Sequence, residues 1–171
     1  MKHSINTRAQ QYATAQHAGQ FYDGFPYTMH LEQVHAVCCN FTHLLPDLQD
    51  LHHAFAGAWV HDVIEDCRVT YNDVKAATNE AVAEIAYLLA TPKGRSRADR
   101  HCDAYYEEMS RNRLATFVKI ADRIANAEYS RDMGSSMLNR YRSEQAHFAK
   151  FLRPAWLEFE PMWHRLDATF A

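Results

Sequence analysis

Apolar residues recur at spacings of three and four along most of this chain, and strongly alternating runs of apolar and polar residues are absent. That period gathers side chains on one face of an α-helix, whereas a half-buried strand needs a period of two. With only five glycines and five prolines to interrupt 171 residues, the pattern predicts an all-α fold, a compact helical domain. The length suffices for one domain with a full hydrophobic core and is short for two. Residues 1–171 are therefore expected to form a single domain, with a C-terminal helical region over 135–171.

The spacing predicts helices from about Asn6 to His17 and from about Thr28 to His43, separated by a turn in the Gly19 to Pro26 stretch. A third should start near Asp47 or Asp50, whose carboxylates suit an N-cap, and run to about Asp66. Thr70 with Asp73 three residues on resembles a capping box opening a short fourth helix. Further helices are expected at Glu80 to Ala90, Ala98 to Ser110 and Arg113 to Ser130, and from Ser135 onward. In that last region Pro154 and Pro161 should interrupt the helix, since proline removes a donor and clashes with the preceding turn. Trp156, Phe159, Met162, Trp163, Leu166 and Phe170 keep roughly helical spacing there, which suits a core or a subunit contact in a homo-oligomer.

Bulk properties narrow the function classes. No apolar run approaches the roughly 18 residues that cross a bilayer, and Met1-Lys2-His3-Ser4 leads into polar residues. A soluble, cytoplasmic protein without a membrane partner is expected. Cys38, Cys39, Cys67 and Cys102 show no C-x-x-C spacing, which suits reduced structural thiols. A net charge of −3 argues against nucleic acid as partner, because a polyanion requires a basic surface. A small anion could still meet a local basic patch. Eleven histidines are an excess that raises the case for a metal site only modestly.

Three segments carry ionisable groups where apolar ones are expected. In His61-Asp62-Val63-Ile64-Glu65-Asp66, helical spacing puts His61, Asp62, Glu65 and Asp66 on one acidic face. A divalent cation would offset the repulsion and keep the imidazole neutral; a solvated, frayed helix end is the bland alternative. In Lys119-Ile120-Ala121-Asp122-Arg123-Ile124-Ala125-Asn126, Asp122 and Asn126 project at i and i+4 from an otherwise apolar helix, with an ion pair to Lys119 or Arg123 as the simpler account. His30 heads the stripe His30, Val34, Val37, Cys38 and Phe41, which faces the core, whereas His35 lies off it. A lone histidine on such a stripe is more often a hydrogen-bonded core residue than a ligand.

Taken in order, His, then His-Asp, then Asp on separate helices resembles the pattern of HD-domain metal-dependent phosphohydrolases. The surrounding text is similar to the hydrolase domain of the RelA/SpoT alarmone enzymes and their small relatives. The matching pieces are His17-Ala18-Gly19-Gln20, Pro26-Tyr27 with His30, His61 to Asp66, Thr70, Thr91 with Lys93, and Lys119 to Arg123 with Asn126, over roughly residues 5–130. The resemblance implies one Mn2+ held by His30, His61, Asp62 and Asp122, with Glu65 and Asp66 positioning and deprotonating the attacking water. A mixed nitrogen and oxygen set suits a hydrolytic metal without separating manganese from iron, cobalt or zinc.

The same resemblance implies hydrolysis of the 3'-pyrophosphate of a guanosine or other purine polyphosphate such as ppGpp, with Asn126 touching the nucleotide and Lys93 the phosphates. Arg95, Arg97 and Arg100 share the cationic segment with Lys93, and Arg140, Tyr141 and Arg142 could close over phosphates. Phe21 and Tyr22 stand where the family commonly has a basic residue, and could stack on a base instead. Tyr129 replaces a small hydroxyl residue. These departures keep a different substrate open, such as the 2'-phosphate of NADPH or a deoxynucleoside phosphate. A non-catalytic nucleotide-binding module is the third reading, which Glu65 and Asp66 oppose.

Overall fold

The longest apolar helix organises the molecule. In the computed structural model, which describes residues 3–171, Arg113–Asp132 forms helix α9, buried on all sides from Ala115 to Ala125. Met1 and Lys2, at the head of the polar N-terminal stretch, lie outside the described residues.

The elements before it are α1 (Ile5–Gln16), strands β1 (Phe21–Tyr22) and β2 (Phe25–Pro26), α2 (Thr28–Asn40), α3 (Leu48–Val60), α4 (Val63–Asp66), α5 (Tyr71–Ala77), α6 (Glu80–Leu89), α7 (Arg97–Arg100) and α8 (Asp103–Ser110). After it come α10 (Met137–Ala155) and α11 (Glu160–Phe170). Helices α2, α3, α6, α8, α10 and α11 surround α9, as a helix buried on all sides through its middle requires. Phe117, Phe148, Phe159 and Trp163 fill that core. A second core joins Ala9 and Ala13 of α1 to Leu31, Trp59, Val60, Val74 and Val82. Gly57 lets α3 approach α6, since a Cβ there would meet Ile85 at 2.8 Å.

Caps follow the sequence. Asp47 accepts from the amides of Gln49 and Asp50, and Thr70 with Asp73 makes a full capping box. Several expectations are corrected. The Gly19 to Pro26 turn contains a two-stranded hairpin, with Asp23 at φ 50° and Gly24 at φ 84°, the tight Asp-Gly turn that matches strand twist. Helix α2 stops at Asn40, followed by a 3-10 turn at Thr42–Leu44. The third helix stops at Val60, and one further turn, α4, follows. The Ala98 to Ser110 helix is split at His101 and Cys102, because Ser96 and Asp99 cap a separate turn. Pro154 lies in the last turn of α10 without ending it early, and Pro161 opens α11, where its missing amide costs nothing. Of the six C-terminal apolar residues, Phe159, Met162, Trp163 and Leu166 are buried in the main core. Among the described residues no helix is long and apolar enough to cross a membrane.

Candidate metal centre and its cleft

Three helical segments bring the acidic and imidazole groups together. His30 comes from the first turn of α2, His61 and Asp62 from the junction of α3 and α4, and Asp122 from the middle of α9. The backbone at Asp62 (φ −102°, ψ −5°) leaves ideal helix geometry there. His30 Nε2 lies 3.3 Å from Asp122 Oδ1 and 3.5 Å from Asp62 Oδ2. His61 Nε2 lies 2.9 Å from Asp62 Oδ2 and 3.7 Å from Asp122 Oδ1. Ligand atoms of His30, His61 and Asp122 all fall within 4.8 Å of one another.

The tautomer decides what this cluster wants. His61 Nδ1 is 2.8 Å from the carbonyl of Ala58, to which it donates. In the neutral ring Nε2 then carries a lone pair, and that buried atom has no hydrogen-bond partner although Asp62 is close. A lone pair facing a carboxylate requires a cation between them. Protons serve in the absence of metal: burial pulls both imidazoles down, but Asp122 and Asp62 outweigh it, pushing His30 up to about 9 and raising His61. Burial likewise opposes ionisation of the two carboxylates. For Asp62, His61 and His30 prevail, and for Asp122, Lys119 and His30 prevail; both end well below the usual carboxylate range. Two nitrogens and two carboxylates, with one nitrogen orphaned, fit a divalent transition ion.

Neighbouring groups hold these ligands in place. Tyr22 lies flat against His30, with centroids 5.1 Å apart. Tyr27 stacks on His17, and its hydroxyl lies 2.7 Å from Asp62 Oδ2 and 3.0 Å from Asp66 Oδ2. One hydroxyl has one proton. The shorter bond is its donation to Asp62, with Asp66 the second and longer acceptor. Burial and then Asp62 push the Asp66 carboxyl up, against the donation from Tyr27. Glu65 instead accepts from the Thr91 amide at 3.0 Å and its hydroxyl at 2.8 Å.

The cleft over the cluster has a volume of about 220 Å³, and its other wall is cationic, built from Arg97, Arg100, Lys119 and Arg123. Lys119 pairs with Asp122 at 3.3 Å, so the simpler account of Asp122 holds for Lys119. It does not hold for Arg123, which with Arg97 grips Glu144.

Asp62, Glu65, Asp66, Asp122, His30, Tyr22 and Asn126 all line this cleft, and His61 lies fully buried behind it. Three expected substrate contacts lie elsewhere. Phe21 is 66% exposed and lines no wall of the cleft, because the strand period turns Tyr22 inward and Phe21 out. Lys93 lines a neighbouring cavity. Arg142 is exposed, its Nε donating to the Phe170 carbonyl, while Tyr141, one residue earlier, turns into the cleft. Arg95 is also absent from the lining. His101 also lines the cleft, a placement for which its sequence context carries no signal. Lys119 and Arg123, expected only as ion-pair partners of Asp122, sit at i and i+4 on α9 and give the cleft its cationic face.

No family model matches the chain. Among solved structures it is similar to a metazoan ortholog of SpoT, a protein described as hydrolysing ppGpp and playing a role in starvation responses. The TM-score is 0.77 at 19% sequence identity, covering 99% of this chain and 96% of that one. The likeness is one of fold, and it agrees with the all-α architecture.

Proposed function

We propose that this chain is a metal-dependent phosphohydrolase that removes pyrophosphate from the 3' position of a purine nucleotide polyphosphate such as ppGpp. The observation that carries the reading is the orphaned Nε2 of His61 among His30, Asp62 and Asp122, at the floor of a cleft walled by four cationic side chains. The activity described for the metazoan SpoT ortholog and the ordered motifs support the choice of substrate.

His30, His61, Asp62 and Asp122 would hold a divalent ion, with Mn2+ the leading candidate. When bound, such an ion acidifies water and neutralises phosphoryl charge. Arg97, Arg100, Lys119 and Arg123 orient the phosphates and balance charge as the bond to the 3' oxygen breaks. Glu65, held in position by Thr91, accepts the proton of the attacking water. Asp66 lines the same cleft and positions that water with it, and the proton taken up passes to the departing 3' oxygen. A site that only bound an anion would gain nothing from these two extra carboxylates.

Protein loaded with Mn2+ should release pyrophosphate from guanosine tetraphosphate, and Asp62→Ala and Glu65→Ala should abolish release while remaining folded by circular dichroism. A panel including adenosine polyphosphates, NADPH and deoxynucleoside monophosphates tests the substrate separately. Absence of turnover across the guanosine and adenosine polyphosphates would sink the proposal, and phosphate release from another member would redirect it.

A further inference from the structure

The hairpin side of the metal cleft is filled by the protein itself. Tyr22 covers His30, and its hydroxyl donates to Asn126 Oδ1 at 2.8 Å. The Asn126 amide donates to both the carbonyl and the carboxylate of Asp122. An amide nitrogen carries two protons, so Asn126 has no donor left for a nucleobase. Tyr129 closes the edge, packed T-shaped on Tyr22 at 5.2 Å, with its hydroxyl donating to Asp23 at 3.0 Å.

On another side the cleft is open to a neighbour. A second cavity, of about 840 Å³, shares Glu65, Thr91 and Arg100 with it. Beyond that shared edge the walls are largely apolar, with Leu88, Pro92, Ala104 and the ring of Tyr87. Tyr87 is 53% exposed and braced edge-on by Tyr71 at 6.0 Å, so its ring is both presented and held. Lys93 supplies a cation at the wall. The volume falls within the range of small-molecule sites, whereas the 220 Å³ cleft lies below that range of roughly 300–1,000 Å³.

We infer that this second cavity seats the nucleoside half of a phosphorylated nucleotide whose reacting phosphates lie in the metal cleft. The assignment rests on the hydrolytic reading above. The chain of the substrate crosses the Glu65 and Thr91 edge beside Arg100, and the base stacks on Tyr87 among apolar walls, a contact open to any base. Tyr22 is then a fixed side wall.

GDP, as a nucleotide probe, and inorganic pyrophosphate, as a probe of the metal cleft alone, separate the two compartments. Ala104 is exposed on α8, so Ala104→Trp can fill the cavity without entering the core. Ala104→Trp and Tyr87→Ala should each weaken GDP binding to Mn2+-loaded protein about tenfold by calorimetry. Inhibition by pyrophosphate should stay within about twofold. GDP affinity unmoved in both variants, or no GDP binding to the wild-type protein, overturns the assignment. A larger loss of GDP affinity in Tyr129→Ser than in either cavity variant also overturns it, by placing the nucleoside at the hairpin. Loss of GDP binding confined to the cavity variants, with no polyphosphate turned over by the wild type, retires the hydrolytic reading and leaves the nucleoside seat standing.

Discussion

Adding Mn2+ should raise the melting temperature of the wild-type protein and leave that of Asp122→Asn almost unmoved. Anything that binds only the folded state stabilises it by RT ln(1 + [L]/Kd), about 2.7 kcal/mol at a hundredfold excess over Kd. For a chain of this size each kcal/mol moves the midpoint about 2–4 °C, so the expected shift is about 5–11 °C. Asp122 Oδ1 lies within 3.7 Å of both imidazole nitrogens, so replacing it removes a charged ligand from the centre of the cluster. A hundredfold loss of affinity would leave only about 0.4 kcal/mol of stabilisation at the same ion concentration, a shift of at most about 2 °C. The variant's metal-free midpoint should itself fall, because Lys119 loses its buried partner. The informative quantity is therefore the difference with and without ion in each protein. Differential scanning calorimetry measures it. The metal-free His30 is pushed up to about 9, so an ion binding near neutrality must expel that proton. Affinity should accordingly rise about tenfold per pH unit for each proton released, up to about pH 9. Equal shifts in the two proteins, or an affinity independent of pH between 6 and 8, would refute the reasoning.

Two other consequences concern the scaffold. Burial, and then Lys119, Arg97 and Arg123, hold His101 down to about 3, against an ordinary value of 6.5. The unfolded chain takes up that proton first, so the stability contributed by neutral His101 is complete above pH 6.5 and is lost as pH falls towards 3. His101→Gln should flatten the pH dependence of the urea midpoint over that interval, and an unchanged slope would rule the account out. Gly57→Ala places a Cβ 2.8 Å from Ile85 Cγ2 and 3.0 Å from its Cδ1, overpacking that should cost about 1–3 kcal/mol. Adding Ile85→Val should return part of it in denaturant titrations; no loss in the single variant would mean that α3 and α6 separate freely.

Much of the helical frame was legible because burial imposes a period that many residues report at once. The stripe through Val34, Val37, Cys38 and Phe41 placed His30 on the inner face of α2, 3.3 Å from Asp122, and left His35 beside Phe55 and Trp59. Strands of two residues have no period to read, so spacing predicts only a turn where Asp23-Gly24 closes a hairpin. The breaks after Val60 and at His101 escape spacing for a related reason: one or two residues set them, against the average of their surroundings.

Spacing by itself singled out His30, His61, Asp62 and Asp122 as ionisable groups but left each a simpler account, and only the resemblance carried by their order implied one centre; the fold brings their ligand atoms together. Tertiary structure decided what surrounds them. Arg97 and Arg100 face the cleft while Lys93 and Arg95 do not, and Tyr141 faces it while Arg142 reaches the C-terminal helix. Neighbouring residues of like chemistry differ only in the direction their backbone points them. That direction is set by where distant helices pack, which no local spacing records.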